Sequence, residues 1–71
     1  MQLRSIFASN LREQRQVRGL SQERLAELAD LDRTYISLLE NERYAVSIDT
    51  LERLANVLEV APGELLTKRA A

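Results

Sequence analysis

Between Ser21 and Glu40 the chain reads SQERLAELADLDRTYISLLE, two short apolar stripes separated by a turn of three residues, Ala29-Asp30-Leu31. This spacing leaves room for helix, tight turn and helix, and for little else. Ser21 is placed to cap the first helix, with Leu25, Ala26, Leu28 and Ala29 as its buried stripe and Glu23 near the positive end of its dipole. Asp32 has the short acceptor side chain that caps the second, which runs through about Glu40. Ile36 and Leu39 turn inward there, and Leu31 packs just ahead of the cap. At about 100° per residue, Arg33, Thr34 and Ser37 then share the outward face near the helix N-terminus.

The rest of the chain repeats the helical pattern. Leu3, Phe7 and Leu11 recur every four residues, Gln14 continues that face as a polar residue, and the run stops at Gly19. Ser47 is placed to cap a helix whose Leu51, Leu54, Ala55 and Leu58 follow an i, i+3, i+4, i+7 pattern. Pro62 suits the first turn of a fifth segment carrying Leu65 and Leu66, before the tail TKRAA, residues 67–71, which is expected to fray. The expectation is therefore an all-α fold of five short helices in a single domain, 1–71, with no repeat and no linker long enough to divide it.

Composition narrows the function. At 71 residues the chain is at the low end of what folds unaided and too small to bury a sizeable substrate. It has no Cys and no His, which excludes disulfides, zinc sites of the usual ligand type, thiol nucleophiles and imidazole acid-base chemistry. No enzyme, metal or cofactor is expected. No apolar run approaches about 18 residues and no signal peptide is visible, so the expected location is the cytoplasm.

The net charge of −1 does not by itself point to nucleic acid, but the charge is uneven. Residues 1–20 carry four arginines against Glu13, a net +3, whereas residues 21–45 carry three arginines against six acids, a net −3. Two short helices joined by a tight turn, the second presenting polar side chains at its N-terminal end, meet the physical requirements of a helix-turn-helix DNA reader. Arg presents a fork of donors that matches guanine O6 and N7, and Thr a hydroxyl and a methyl group that meets thymine.

The blocks RGLSQERLAELA, LDRTYIS and SIDTLERLANVLEV, in this order and spacing, resemble the Cro/C1-type helix-turn-helix family of bacterial and phage regulators. The resemblance is strong from Leu11 to Val60, and the small size together with LDRTYIS is similar to the controller proteins of restriction-modification systems. It implies a compact five-helix domain of the λ-repressor type, with the helix-turn-helix at about 21–40, binding a pseudo-palindromic operator as a homodimer with its third helix in the major groove. Carried over residue by residue, it implies that Gln22 binds phosphate and braces the recognition helix, that Arg33 and Thr34 read base edges, and that Tyr35 and Ser37 contact backbone or neighbouring bases. It further implies that Asn41 and Arg43 hold phosphates and that Ser47 does so through its backbone N–H.

Each role has a plainer counterpart. Arg33 is either a base reader or a surface partner of Asp30 or Glu40, Tyr35 either a contact or a ring laid over the turn as partial core, and Gln22 either a brace or an inert surface residue. Leu38 either packs or meets a thymine methyl group. Where the family commonly has Gly, this chain has Asp30, Glu42 and Glu59, and Val46 stands where Pro is common. Either the links bend differently or some stability is given up. Val57, Val60, Leu65 and Leu66 are the candidates for a dimer interface. The resemblance also raises RNA polymerase as a partner through Glu27 and Asp30, against a simple solvated face. The rival to the DNA-binding reading is a protein-interaction or antitoxin-like module that keeps the fold.

Overall fold

The computed structural model describes residues 3–68, which form four α-helices and a terminal 3-10 helix: α1 Leu3–Val17, α2 Gln22–Ala29, α3 Arg33–Glu40, α4 Ile48–Leu58, then Pro62–Leu66. The three expected N-caps form. Ser21 Oγ accepts from Arg24 N at 3.0 Å, an Asp32 carboxylate oxygen accepts from Thr34 N at 2.7 Å, and Ser47 Oγ accepts from Thr50 N at 3.1 Å. Among the described residues no helix is long and apolar enough to cross a membrane.

The fifth element is not an α-helix. It is five residues long with Gly63 in its second position, and the bond Glu64 N to Ala61 O, 2.9 Å, is the tighter i to i+3 kind. A side-chain return bond, Ala61 N to Glu64 Oε1 at 2.9 Å, closes its start, and Thr67 leaves it in extended conformation, so no α-helical ladder can develop. Nor does the tail fray from its first residue. Buried Asn10 of α1 donates from Nδ2 to the carbonyls of Leu65 and Thr67, at 3.0 and 2.9 Å, and holds the chain down to that point. The remaining part of that expectation, at 69–71, lies outside the described residues.

The core draws on every element: Phe7 and Leu11, Leu25, Ala26 and Ala29, Ile36 and Leu39, the stripe Leu51, Leu54, Ala55 and Leu58, and Leu65. Helices of eight residues such as α2 and α3 are marginal alone. Each fully buried Leu or Ile adds about 1.5–3 kcal/mol by leaving water, so packing rather than propensity holds these helices. Leu28 departs from the expected stripe and is 46% exposed. Helix α2 packs through Leu25, Ala26 and Ala29, and at about 100° per residue Leu28 falls roughly a quarter-turn or more away from that face.

All four helices end in the same way. The first or second residue past the helix adopts a left-handed conformation and the next N–H reaches back five residues: Leu20 N to Arg15 O at 2.9 Å, Leu31 N to Ala26 O at 2.8 Å, Arg43 N to Leu38 O at 2.9 Å, Val60 N to Ala55 O at 3.0 Å. The left-handed residues are Gly19, Asp30, Glu42 and Glu59, with φ of 68, 58, 61 and 58°. The three acidic links therefore keep the bend that glycine favours. Asp tolerates this conformation better than Glu, because its short side chain bonds locally.

At Glu59 the strain is separable from other contacts, since its exposed pair with Arg18, 3.6 Å, contributes little. Glu59→Gly should raise stability by about 1 kcal/mol. Chemical denaturation of the two proteins checks this, and an unchanged or lower midpoint would show that the link is not strained.

Candidate nucleic-acid interface

Helix α3 buries Ile36, Leu39 and Glu40 on one side. By helical periodicity the opposite side then centres on Thr34, Leu38 and Asn41, with Arg33 and Ser37 on one flank and Tyr35 on the other. Arg33 and Thr34 are exposed, while Tyr35, Ser37 and Leu38 are half-buried. The first turn of α3 thus stands clear of the protein, and its base rests on the core through Leu31, Ile36 and Leu39.

What fixes the angle of α3 is a buried carboxylate. The Glu40 side chain is fully buried and accepts a two-pronged bond from Arg15 of α1, Nε to Oε2 at 2.7 Å and Nη2 to Oε1 at 3.1 Å. Gln22, at the start of α2, donates from Nε2 to Oε1 at 3.1 Å, and Arg12 adds an ion pair at 3.6 Å with a bond to the Glu40 carbonyl at 3.4 Å. Arg15 also donates from Nη1 to Leu20 O at 2.8 Å, which pins the link into α2. Gln22 is therefore a brace and not an inert surface residue.

Sequence reasoning placed Glu40 as a helix end and an alternative surface partner of Arg33, and assigned Arg12 and Arg15 no role beyond their charge. A signal was present. Arg15 continues the inward spacing of Phe7 and Leu11 by four residues, and Glu40 stands four after Ile36.

The pairing of the arginines separates structural from available charge. Arg12 and Arg15 are held by Glu40, Arg18 by Glu59, Arg24 by Glu27, and Arg53 Nη1 donates to Asp30 O at 3.3 Å. Arg4, Arg33 and Arg43 have no hydrogen-bond or ion-pair partner among the described residues, and all three are exposed; of these, Arg33 and Arg43 lie at α3. Arg33 thus pairs with neither Asp30 nor Glu40. Asn41 closes α3, donating from Nδ2 to Ser37 O at 2.8 Å and to Ser37 Oγ at 3.3 Å, and its amide oxygen has no hydrogen-bond partner among the described residues. The Ser47 hydroxyl is committed to Thr50, donating to its Oγ1 at 2.9 Å, so the N-terminus of α4 offers its backbone N–H groups. Glu27 is already paired with Arg24 on an exposed turn of α2, and Asp30 forms the left-handed link.

The dimer candidates divide. Leu65 is fully buried within this chain and cannot also face a partner, because Asn10 draws the 3-10 helix onto α1. Val57 and Val60 are half-buried and pack on the same core. Leu66 lines an apolar groove of about 390 Å³ with Leu3, Phe7, Val46, Ile48 and Leu51. At its rim Ile48 is 83% exposed and Leu3 50%, two residues that sequence reasoning did not place on this surface.

The helix-turn-helix family pattern matches residues 11–65. The chain is 41% identical over 69 residues to the control protein C.SmaI of Serratia marcescens, covering 97% of this chain and 82% of that one. Among solved structures, a hypothetical transcription factor of Neisseria superposes with a TM-score of 0.92 at 40% identity, over 94% of this chain and 77% of that one. The restriction-modification controller protein C.AhdI of Aeromonas hydrophila gives 0.84 at 42% identity, over 87% and 94%.

Removing one member of the buried pair leaves the other without a partner. Glu40→Ala and Arg15→Ala should each destabilise the fold by about 3–5 kcal/mol, and the double substitution by clearly less than their sum. A double-mutant cycle in denaturant measures this, and additive losses would remove the pair from the account of how α3 is held.

Proposed function

Because this chain belongs to the Cro/C1-type helix-turn-helix family of DNA-binding regulators, which is not an enzyme class, we propose that it binds a pseudo-palindromic operator as a homodimer with α3 in the major groove. We further propose that it serves as the controller of a restriction-modification system, the role carried in the names of relatives similar to it along most of their length. One observation carries the reading at the site. Arg33 and Arg43, near the two ends of α3, are exposed and unpartnered among the described residues, while Arg12, Arg15, Arg18 and Arg24 are all engaged by acids.

The chemistry follows from these positions. Arg33 projects a fork of donors that fits guanine O6 and N7, and Thr34 beside it adds a hydroxyl and a methyl group. Arg43, the free N–H groups at the starts of α2 and α4, and the outer amide hydrogen of Gln22 hold phosphates and set the register. Ser37 and Asn41 border the same face. Leu38, half-buried near its centre, suits a thymine methyl group.

A domain this small makes few phosphate contacts, so two copies are needed for useful affinity, with half-sites about 10 base pairs apart. The apolar surface available for pairing is the groove around Leu66, extended by Ile48 and Leu3, with Val57 and Val60 as further candidates. Since Ile48 is exposed, Ile48→Glu should leave the helices intact and convert the dimer to monomer in sedimentation at micromolar concentration. A wild-type monomer, or a variant that stays dimeric, would remove this surface.

With the operator obtained by selection from random duplexes, Arg33→Ala should cost about 1–3 kcal/mol and relax preference at one base pair. Arg43→Ala should weaken all sequences alike and lower the salt slope by about 1. Equal, sequence-blind losses from both would show that Arg33 reads no base. Wild-type protein that binds no duplex would favour the protein-interaction module.

A further inference from the structure

Tyr44 is a large aromatic residue left 55% exposed in the link after α3, and its hydroxyl has no hydrogen-bond partner among the described residues. Its neighbour is Tyr35. The two rings lie with centroids 6.4 Å apart and planes tilted by 47°, within the range in which aromatic pairs attract beyond simple burial. They are also the two tyrosines of a chain that has no Trp.

The backbone explains how they meet. Left-handed Glu42 reverses the chain at the end of α3, and Arg43 N closes the turn on Leu38 O at 2.9 Å. At the other three helix ends the residue in the place of Arg43 is Leu20, Leu31 or Val60, each packed against the core. Here a charged residue takes that place and stays outside, and the next residue, Tyr44, returns to the flank of α3 that carries Tyr35. Tyr35 itself is half-buried with part of its ring on the core, so a neighbour on its exposed side limits the positions its hydroxyl end can take.

We infer that Tyr44 is a positioning residue for DNA reading: its ring holds Tyr35 in one orientation beside Thr34 and Leu38, so that Tyr35 contributes to discrimination between sequences. The inference rests on the DNA-binding reading given above. Tyr44 carries no charge and acts through a ring contact, so it bears on sequence preference and hardly on phosphate attraction, which follows the number of neutralised phosphates. The strained Glu42 link then has a functional counterpart, because it is the bend that brings Tyr44 back.

The test compares wild type, Tyr44→Ala, Tyr44→Phe and Tyr35→Ala on the selected operator and on an unrelated duplex of equal length and salt. Tyr44→Ala should lower the ratio of operator to unrelated affinity by about 3- to 10-fold, with binding to the unrelated duplex unchanged. Tyr44→Phe keeps the ring and should keep the ratio. In a Tyr35→Ala background, Tyr44→Ala should have little further effect. Without DNA, the Tyr35 ring proton resonances should move in Tyr44→Ala, while the far-ultraviolet circular dichroism stays that of wild type.

Equal loss on both duplexes, an unchanged ratio, full additivity with Tyr35→Ala, or unmoved Tyr35 resonances would each overturn the inference. Failure of the DNA-binding reading is seen separately. Wild-type protein then binds neither duplex, and the inference falls with it, whereas binding by wild type with no selective loss in Tyr44→Ala sinks the positioning role alone.

Discussion

The Glu40 carboxylate is the point at which α3 is tied to α1 and α2. Fully buried at the end of α3, it is neutralised by Arg15 of α1 and joined by Gln22 from the start of α2. A buried charge is costly unless it is paired and its remaining lone pairs are satisfied, so the carboxylate is comfortable only when all three helix ends stand in one arrangement. An apolar residue at position 40 would tolerate many small rotations of α3. The ion pair is more selective, because a two-pronged bond fixes direction as well as distance. Whatever Arg33 and Thr34 touch, they are aimed from that fixed end through two turns of helix.

The second constraint is the repeated helix ending. Four links take the same left-handed turn, and in three of them the residue that follows is an apolar anchor packed on the core. Only after α3 is the anchor replaced by Arg43, which remains outside. The strained Glu42 and the missing anchor lie directly after Glu40, whose side chain ties the end of α3 to α1 and α2. The fold therefore holds α3 tightly at its end and releases the chain beyond it to carry side chains outward.

Much of this was legible in the sequence. Ser21, Asp32 and Ser47 announced their caps by residue type, the stripe of α4 by its period, and the outward face of α3 by the inward pair Ile36 and Leu39. The left-handed links at Asp30, Glu42 and Glu59 were visible only as departures from the family pattern, since nothing local to a Glu announces positive φ. Glu40 was read as a surface residue, and Arg12 and Arg15 only as charge, because charged residues default to solvent, although helical spacing put Arg15 and Glu40 on buried faces. Leu28 and Leu65 erred in opposite senses for one reason. Hydrophobicity says that a leucine belongs to some apolar contact, but which side of a short helix meets the core is set by partners distant in sequence, here α3 and α4 for Leu28 and the Asn10 clamp for Leu65. The fifth helix failed on length, because five residues containing a glycine cannot hold an α-helical ladder.

The same pairing that braces the fold also shapes how such a protein meets DNA. Affinity for DNA of any sequence grows with the number of phosphates neutralised, and log affinity falls with log salt by about 0.9 for each. In this chain Arg12 and Arg15 are tied to the buried Glu40 carboxylate, Arg18 and Arg24 sit in exposed pairs with Glu59 and Glu27, and the central segment is net acidic. Few of its cations are free of an acidic neighbour, so the proposed binding mode predicts weak attraction to unrelated sequences. On that proposal discrimination comes from short-range contacts that form only on a matching sequence: the fork of Arg33, the methyl and hydroxyl of Thr34, and the orientation of Tyr35. Those contacts are sensitive to displacements that bulk charge would ignore, and a regulator with so little of the latter needs the rigid aim that Glu40 supplies.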